Sequence, residues 1–143
     1  MSIKFQQMAF IQSASTVLQC PRDGGTEIAL IGRSNAGKSS ALNILANQKN
    51  LAKTSKQPGY TRLINLFSVD ENRRLVDLPG YGYAKVSQAL KADMERVINE
   101  YIHERRCLYG VLVLMDIRHP LQEGDIACIE TLLEAHKKVH VIL

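Results

Sequence analysis

Residues 27 to 48 constrain the fold more than any other part of the chain. Glu27-Ile-Ala-Leu-Ile31 is a short apolar run that stops at a glycine, the pattern of a buried strand. Gly32-Arg33-Ser34-Asn35-Ala36-Gly37-Lys38-Ser39 follows and fits G-x-x-x-x-G-K-[ST]. Lys38 to Gln48 then carries good helix formers with apolar Leu42 and Leu45. A glycine-bounded loop between strand and helix wraps tightly, so its N–H groups turn inward and can cradle a phosphate. The helix behind it presents its positive N-terminal end to the same anion. In such a loop Lys38 would reach the β- and γ-phosphates, and the Ser39 hydroxyl would ligate Mg²⁺.

The rest of the chain supplies a matching scaffold. Residues 49 to 61 contain Pro, Gly and hydroxyls without periodicity and read as a long loop. Leu63 to Val69 reads as a strand, Asp70-Glu71-Asn72 as a turn, and Arg74 to Asp77 as the return strand of a hairpin. Leu90, Met94, Val97, Ile98, Tyr101 and Ile102 form one stripe of a helix spanning Ser87 to Arg106. Gly110 to Met115 is apolar throughout, as expected of a central parallel strand covered on both faces. Ile126, Ile129, Leu132 and Leu133 mark another helix, and Val139 to Leu143 a last strand. Strands alternating with helices predict a three-layer α/β fold of the P-loop NTPase kind, mainly parallel with one antiparallel hairpin. The expectation is one domain over residues 1–143, with an N-terminal segment to about residue 25. Ligands of such sheets bind at the carboxyl ends of the strands.

Bulk properties narrow the classes. No apolar run is long enough to cross a bilayer, and the N-terminal stretch is too polar for a secretory signal, so a cytoplasmic protein without membrane contact is expected. Cys20, Cys107 and Cys128 are odd in number and widely spaced, which suits neither a disulfide framework nor a zinc site. His103, His136 and His140 lack ligand-like spacing, and His119 is given no role. The net charge of +4 is compatible with phosphate polymers and decides little alone.

A second motif, Asp77-Leu78-Pro79-Gly80, closes the hairpin's return strand. A phosphate-bound Mg²⁺ keeps much of its water, so a carboxylate there would hold it through a water molecule. Gly80 would bring its N–H to the γ-phosphate. Thr61, just ahead of a strand, would add a hydroxyl to the metal while that phosphate is present. Losing the contact on hydrolysis would release the loop, which makes it a switch.

G-R-S-N-A-G-K-S-S-A-L-N, P-G-Y-T-R-L-I-N-L-F, D-L-P-G-Y-G-Y-A and D-I-R-H-P-L, in this order, resemble the bacterial EngB family of P-loop GTPases. The likeness runs from about Phe10 to the last residue. It implies a Ras-like sheet, binding of GTP and GDP with Mg²⁺, and a part in assembly of the large ribosomal subunit and in normal division and septation. By position, Gly32, Arg33, Ser34, Asn35, Ala36, Gly37, Lys38 and Ser39 would hold the phosphates. Gly59, Tyr60, Thr61, Arg62 and Leu63 would form the first switch, and Asp77, Leu78, Pro79 and Gly80 would open the second. Ser39, Thr61 and Asp77 would hold the metal, with Lys38, Thr61 and Gly80 closest to the chemistry.

In Ras-like proteins the residue after D-x-x-G is a glutamine that orients the attacking water. Tyr81 stands there, bulky and neutral near pH 7, so slow intrinsic hydrolysis is expected. The remaining rate would come from a partner, an RNA surface or a monovalent cation. Asn35 occupies the position where potassium-using relatives carry an asparagine, which makes K⁺ a candidate. Lys49, Lys53, Lys56 and Arg62, with Tyr60 and Tyr83, are candidate contacts to ribosomal RNA. The base-reading N/T-K-x-D motif is expected after the Val139–Leu143 strand, where the sequence stops. The chain thus resembles the larger N-terminal part of a family member, expected to be monomeric, and guanine preference comes from the resemblance. Two alternatives stay open: a nucleotide-gated ribosome-docking module with negligible turnover, and an ATP-using P-loop protein.

Overall fold

A computed structural model describes residues 2–33, 36–52, 63–82 and 87–143. Its six strands are β1 (Ala9–Ala14), β2 (Thr26–Gly32), β3 (Ile64–Ser68), β4 (Arg73–Asp77), β5 (Leu108–Leu114) and β6 (Lys138–Ile142). They lie in the order β1-β3-β4-β2-β5-β6. β4, β2, β5 and β6 run parallel, while β3 pairs antiparallel with both β4 and β1. The described α-helices are α1 (Lys38–Ala46), α2 (Gln88–Glu104) and α3 (Glu123–Glu134). None is long and apolar enough to cross a membrane.

Successive side chains of the central strands feed two cores, which is why these strands are apolar without alternation. Ile31, Val76, Val111 and Val113 pack with Val97, Ile98, Tyr101, Ile102 and Leu132 of α2 and α3. Leu30, Leu75 and Leu114 face the other way, onto Leu42 and Ala46 of α1 and onto Met8. Each such fully buried aliphatic side chain contributes roughly 1.5–3 kcal/mol. The sheet is therefore clamped between α1 on one side and α2 with α3 on the other.

Three elements differ from the sequence expectation. β1 was not foreseen within the N-terminal segment. Only Ala14 of this edge strand is buried, and a bulge between Phe10 and Gln12 breaks the period-two signal. α1 stops at Ala46 rather than Gln48, because Asn47 turns left-handed at φ +53°. Leu45 on that helix is exposed, as is Ile44. In α3 the inward stripe is Asp125, Cys128 and Leu132, while Ile126 and Leu133 are 44% and 60% exposed. A buried aspartate on the core face is invisible to a hydrophobicity count.

α2 matches closely. Ser87 caps it by accepting from the Leu90 N–H at 3.1 Å, and Met94, Val97, Ile98, Tyr101 and Ile102 are buried. Most of the long loop expected at 49–61 lies outside the described residues, which resume at Leu63.

At the N-terminal end of β2 sits a polar cluster that the apolar reading of this strand missed. Glu27 is fully buried. Arg105 donates to it at 3.0 and 2.8 Å, Arg74 donates at 2.8 Å, and the Tyr101 hydroxyl donates to the same carboxylate. Burial works against the charge, but the Arg105, Tyr101 and Arg74 donors together hold the carboxyl below its ordinary range. The cluster ties β2 to β4 and to the end of α2.

Candidate nucleotide site

The opposite end of β2 carries the glycine loop. Gly32 closes the strand against β5, where a Cβ would stand 2.6 Å from the Leu114 carbonyl oxygen, so only glycine fits. Gly37 takes φ +94° immediately before α1. Among the described residues no side chain caps that helix, and its first turn carries no acidic residue, so its N-terminal N–H groups have no described side-chain acceptor. The Ala36 N–H donates to the Arg33 carbonyl at 3.0 Å, beginning the turn.

Lys38 opens α1 with its side chain folded inward, buried, and its Nζ 3.5 Å from Asp77 Oδ1. At that length the contact is an ion pair rather than a hydrogen bond. Asp77 Oδ1 makes no hydrogen bond to any described residue, although its side chain is buried. Burial pushes the Asp77 carboxyl up and the Lys38 charge pulls it down; the net direction is up. An unsatisfied buried carboxylate oxygen beside a single lysine is costly for a folded chain to maintain. Lys38, Ser39, Leu63, Asn65, Asp77 and Leu78 line one cavity of about 490 Å³. A serine hydroxyl and one carboxylate facing a lysine suit a hard, water-rich cation such as Mg²⁺ next to a phosphate. Among the described residues no cluster of three or more His, Cys, Asp or Glu offers a metal cage, so softer or caged metals have no comparable site there.

The D-L-P-G segment continues the pairing with β2 beyond the end of β4. The Leu78 N–H donates to the Leu30 carbonyl at 3.1 Å and the Tyr81 N–H to the Gly32 carbonyl at 3.2 Å. Tyr81 and Arg33 form an isolated parallel bridge. Leu78, Pro79 and Gly80 are buried between these two anchors. The Gly80 N–H makes no hydrogen bond to another described residue.

Tyr81 turns its side chain towards α3. Its hydroxyl donates to Asp125 Oδ1 at 2.5 Å, and its ring lies on Gly124, where a Cβ would come within 2.8 Å of ring carbon Cδ2. Burial and the Asp125 bond raise the phenol pKa, so the group is neutral and donating at ordinary pH. Farther along, Asp116 after β5 accepts from the Arg118 N–H, Nε and Nη2 at 2.9, 3.1 and 2.8 Å. These bonds hold the half-buried Asp116 carboxyl down at about 2.

Of the residues expected from sequence, Gly32, Arg33, Ala36, Gly37, Lys38, Ser39, Leu63, Asp77, Leu78, Pro79 and Gly80 are described, all at the carboxyl end of the sheet or on α1. Ser34, Asn35, Gly59, Tyr60, Thr61 and Arg62 lie outside the described residues. Sequence reasoning missed Asp125 and Gly124. The faint signal was Gln122 with Asp125 three residues on, a capping-box spacing realised here with Asp125 Oδ2 accepting from the Gln122 N–H at 2.9 Å.

Comparison with known proteins assigns this geometry to a family. A family model described as "50S ribosome-binding GTPase" matches residues 27–143. The chain is 55% identical over 139 residues to "Probable GTP-binding protein EngB" of Klebsiella pneumoniae subsp. pneumoniae, covering 97% of this chain and 66% of that protein. It is 53% identical over 142 residues to the protein of the same name from Salmonella paratyphi C, covering 99% and 68%. The chain belongs to the EngB family of GTP-binding proteins. It spans about two thirds of the length of these relatives. The fold is shared with a crystal structure of a probable GTP-binding protein engB, with a TM-score of 0.62 and 18% identity over 81% of this chain and 68% of that one.

Proposed function

We propose that this chain is the nucleotide-binding domain of a Mg²⁺-dependent GTPase switch that hydrolyses GTP to GDP and phosphate. It acts in assembly of the large ribosomal subunit and, through that, in normal division and septation. The observation that carries the reading is the buried Asp77 oxygen without a hydrogen bond among the described residues, facing Lys38 and sharing a cavity with Ser39.

The loop amides of 32–39 and the open end of α1 take the phosphates. Lys38 swings from Asp77 onto the β- and γ-oxygens, exchanging an imperfect ion pair for charge-assisted hydrogen bonds. Ser39, Asp77 and Thr61 are the residues that would hold Mg²⁺. The metal supplies neutralisation of the charge that develops on the phosphate oxygens. The buried Gly80 donates its N–H to the γ-phosphate. Water attacks phosphorus in line as the bond to the bridging β–γ oxygen breaks. Tyr81, bonded to Asp125, does not orient that water, so turnover is slow without help from a ribosomal partner or from K⁺ on Asn35.

The test is competition between GDP and ADP for the chain with Mg²⁺, in potassium and then sodium buffer, repeated with Lys38→Ala. Mg²⁺-dependent binding that prefers GDP and is lost in K38A is the expected result. Equal binding of ADP, or binding indifferent to K38A, contradicts it.

A further inference from the structure

Tyr81 is held at both ends. Its backbone N–H is bonded to Gly32 at the start of the phosphate loop, and its hydroxyl to Asp125 in the first turn of α3. Asp125 is 1% exposed, and both its oxygens are engaged, one by Tyr81 and one by the Gln122 N–H. Gly124 leaves no space for a side chain under the ring. On the other side, the Arg33 guanidinium lies against Gly82, whose φ of +77° turns the chain away. Gly80 therefore sits on a short tether between two fixed points, Leu78 on Leu30 and Tyr81 on Gly32 and Asp125.

We infer that the clasp of Tyr81 on Asp125 and Gly124 is a positioning device that presets Gly80 against the phosphate loop, so that a γ-phosphate meets an already ordered backbone donor. The inference rests on the nucleotide reading above. A preset donor removes the ordering cost from capture of the γ-phosphate, whereas GDP has no γ-phosphate and gains nothing from it. The tyrosine that replaces the water-orienting glutamine thus acts on discrimination between the tri- and diphosphate, through Gly80. Tyr81 and Asp125 are positioning residues, since neither touches the phosphates. The clasp also places the phosphate loop and the N-terminus of α3 in one mechanical unit, so a ligand that displaces α3's first turn would weaken triphosphate binding.

Two variants test this, Tyr81→Phe, which keeps the ring and the Asp125 helix cap, and Gly124→Ala, which drives the ring out while improving helix propensity. Affinities for GDP and for a non-hydrolysable GTP analogue are measured with Mg²⁺, alongside amide exchange without nucleotide. Loss of one hydrogen bond to a carboxylate corresponds to about a tenfold weakening for the analogue, with GDP affinity within about twofold. The Tyr81 amide should be protected in the wild-type chain and exchange faster in both variants. A merely structural role moves both nucleotides together or neither, and that result overturns the inference. If the wild-type chain binds no nucleotide, the nucleotide reading fails, and an unprotected wild-type Tyr81 amide separately refutes the clasp.

Discussion

Two carboxylates are buried in this sheet, one at each end of the central pair of strands, and they are treated oppositely. Glu27 is surrounded by Arg105, Arg74 and the Tyr101 hydroxyl, with every oxygen engaged. Asp77 has one lysine 3.5 Å away and an oxygen with no hydrogen-bond partner among the described residues. Described side chains satisfy the first charge in full, whereas the second is the one that the proposed function assigns to a bound metal. Burial alone does not distinguish a structural group from a functional one; the partner count does.

The largest effect should come from breaking the satisfied end. Glu27→Ala leaves the buried Arg105 guanidinium without its carboxylate, and such a loss costs about 3–5 kcal/mol. Denaturant unfolding should register it as a large drop in midpoint, with no selective effect on nucleotide.

The pH dependence of the two ends should run in opposite senses. Glu27 has a folded pKa below its unfolded one, so its contribution is present above the ordinary carboxylate range and is lost as pH falls through the folded value. Asp77 has a raised folded pKa, so its penalty is absent below the ordinary range and grows as pH rises towards the folded value. Unfolding should therefore show Asp77→Asn gaining on the wild type as pH rises above the ordinary carboxylate range, whereas Glu27→Gln should lose ground only as pH rises through the acid range below it and hold a constant deficit from there to neutrality. Parallel profiles for the two variants would remove the distinction.

Smaller changes sharpen the boundary of the site. Gly37→Ala meets no atom of a described residue within 4 Å, yet forces a side chain into the left-handed region, at about 1–2 kcal/mol. On the proposed function its effect should appear in stability and in phosphate affinity together, because Gly37 joins the loop to α1. Ser87→Ala removes the α2 cap and should cost about 1 kcal/mol of stability while leaving nucleotide affinity unchanged. Thermal melts with and without GDP separate the two.

The asymmetry between the ends also explains what the sequence could disclose. The loop of Gly32 to Ser39 and the D-L-P-G segment are contiguous strings whose spacing is itself the signal, so they stand out in the sequence without knowledge of the fold. Glu27 could be read only as part of an apolar run, because Arg74, Tyr101 and Arg105 stand 47, 74 and 78 residues away and no local pattern links them. Asp125 was hidden for the same reason: its partner Tyr81 is 44 residues distant, and its burial contradicts the rule that core faces are apolar. β1 was missed because an exposed, bulged edge strand has no period to detect. Central strands and α2, buried along a regular stripe, were legible to within two residues at their ends.

The most direct test of the account is the stability of the wild type and Asp77→Asn with and without GDP and Mg²⁺. Without ligand at neutral pH, D77N should be at least as stable as the wild type, and Mg²⁺·GDP should stabilise the wild type far more than the variant. A variant that loses stability as Glu27→Gln does, yet gains as much from Mg²⁺·GDP as the wild type, would show Asp77 to be a structural group and contradict the central claim.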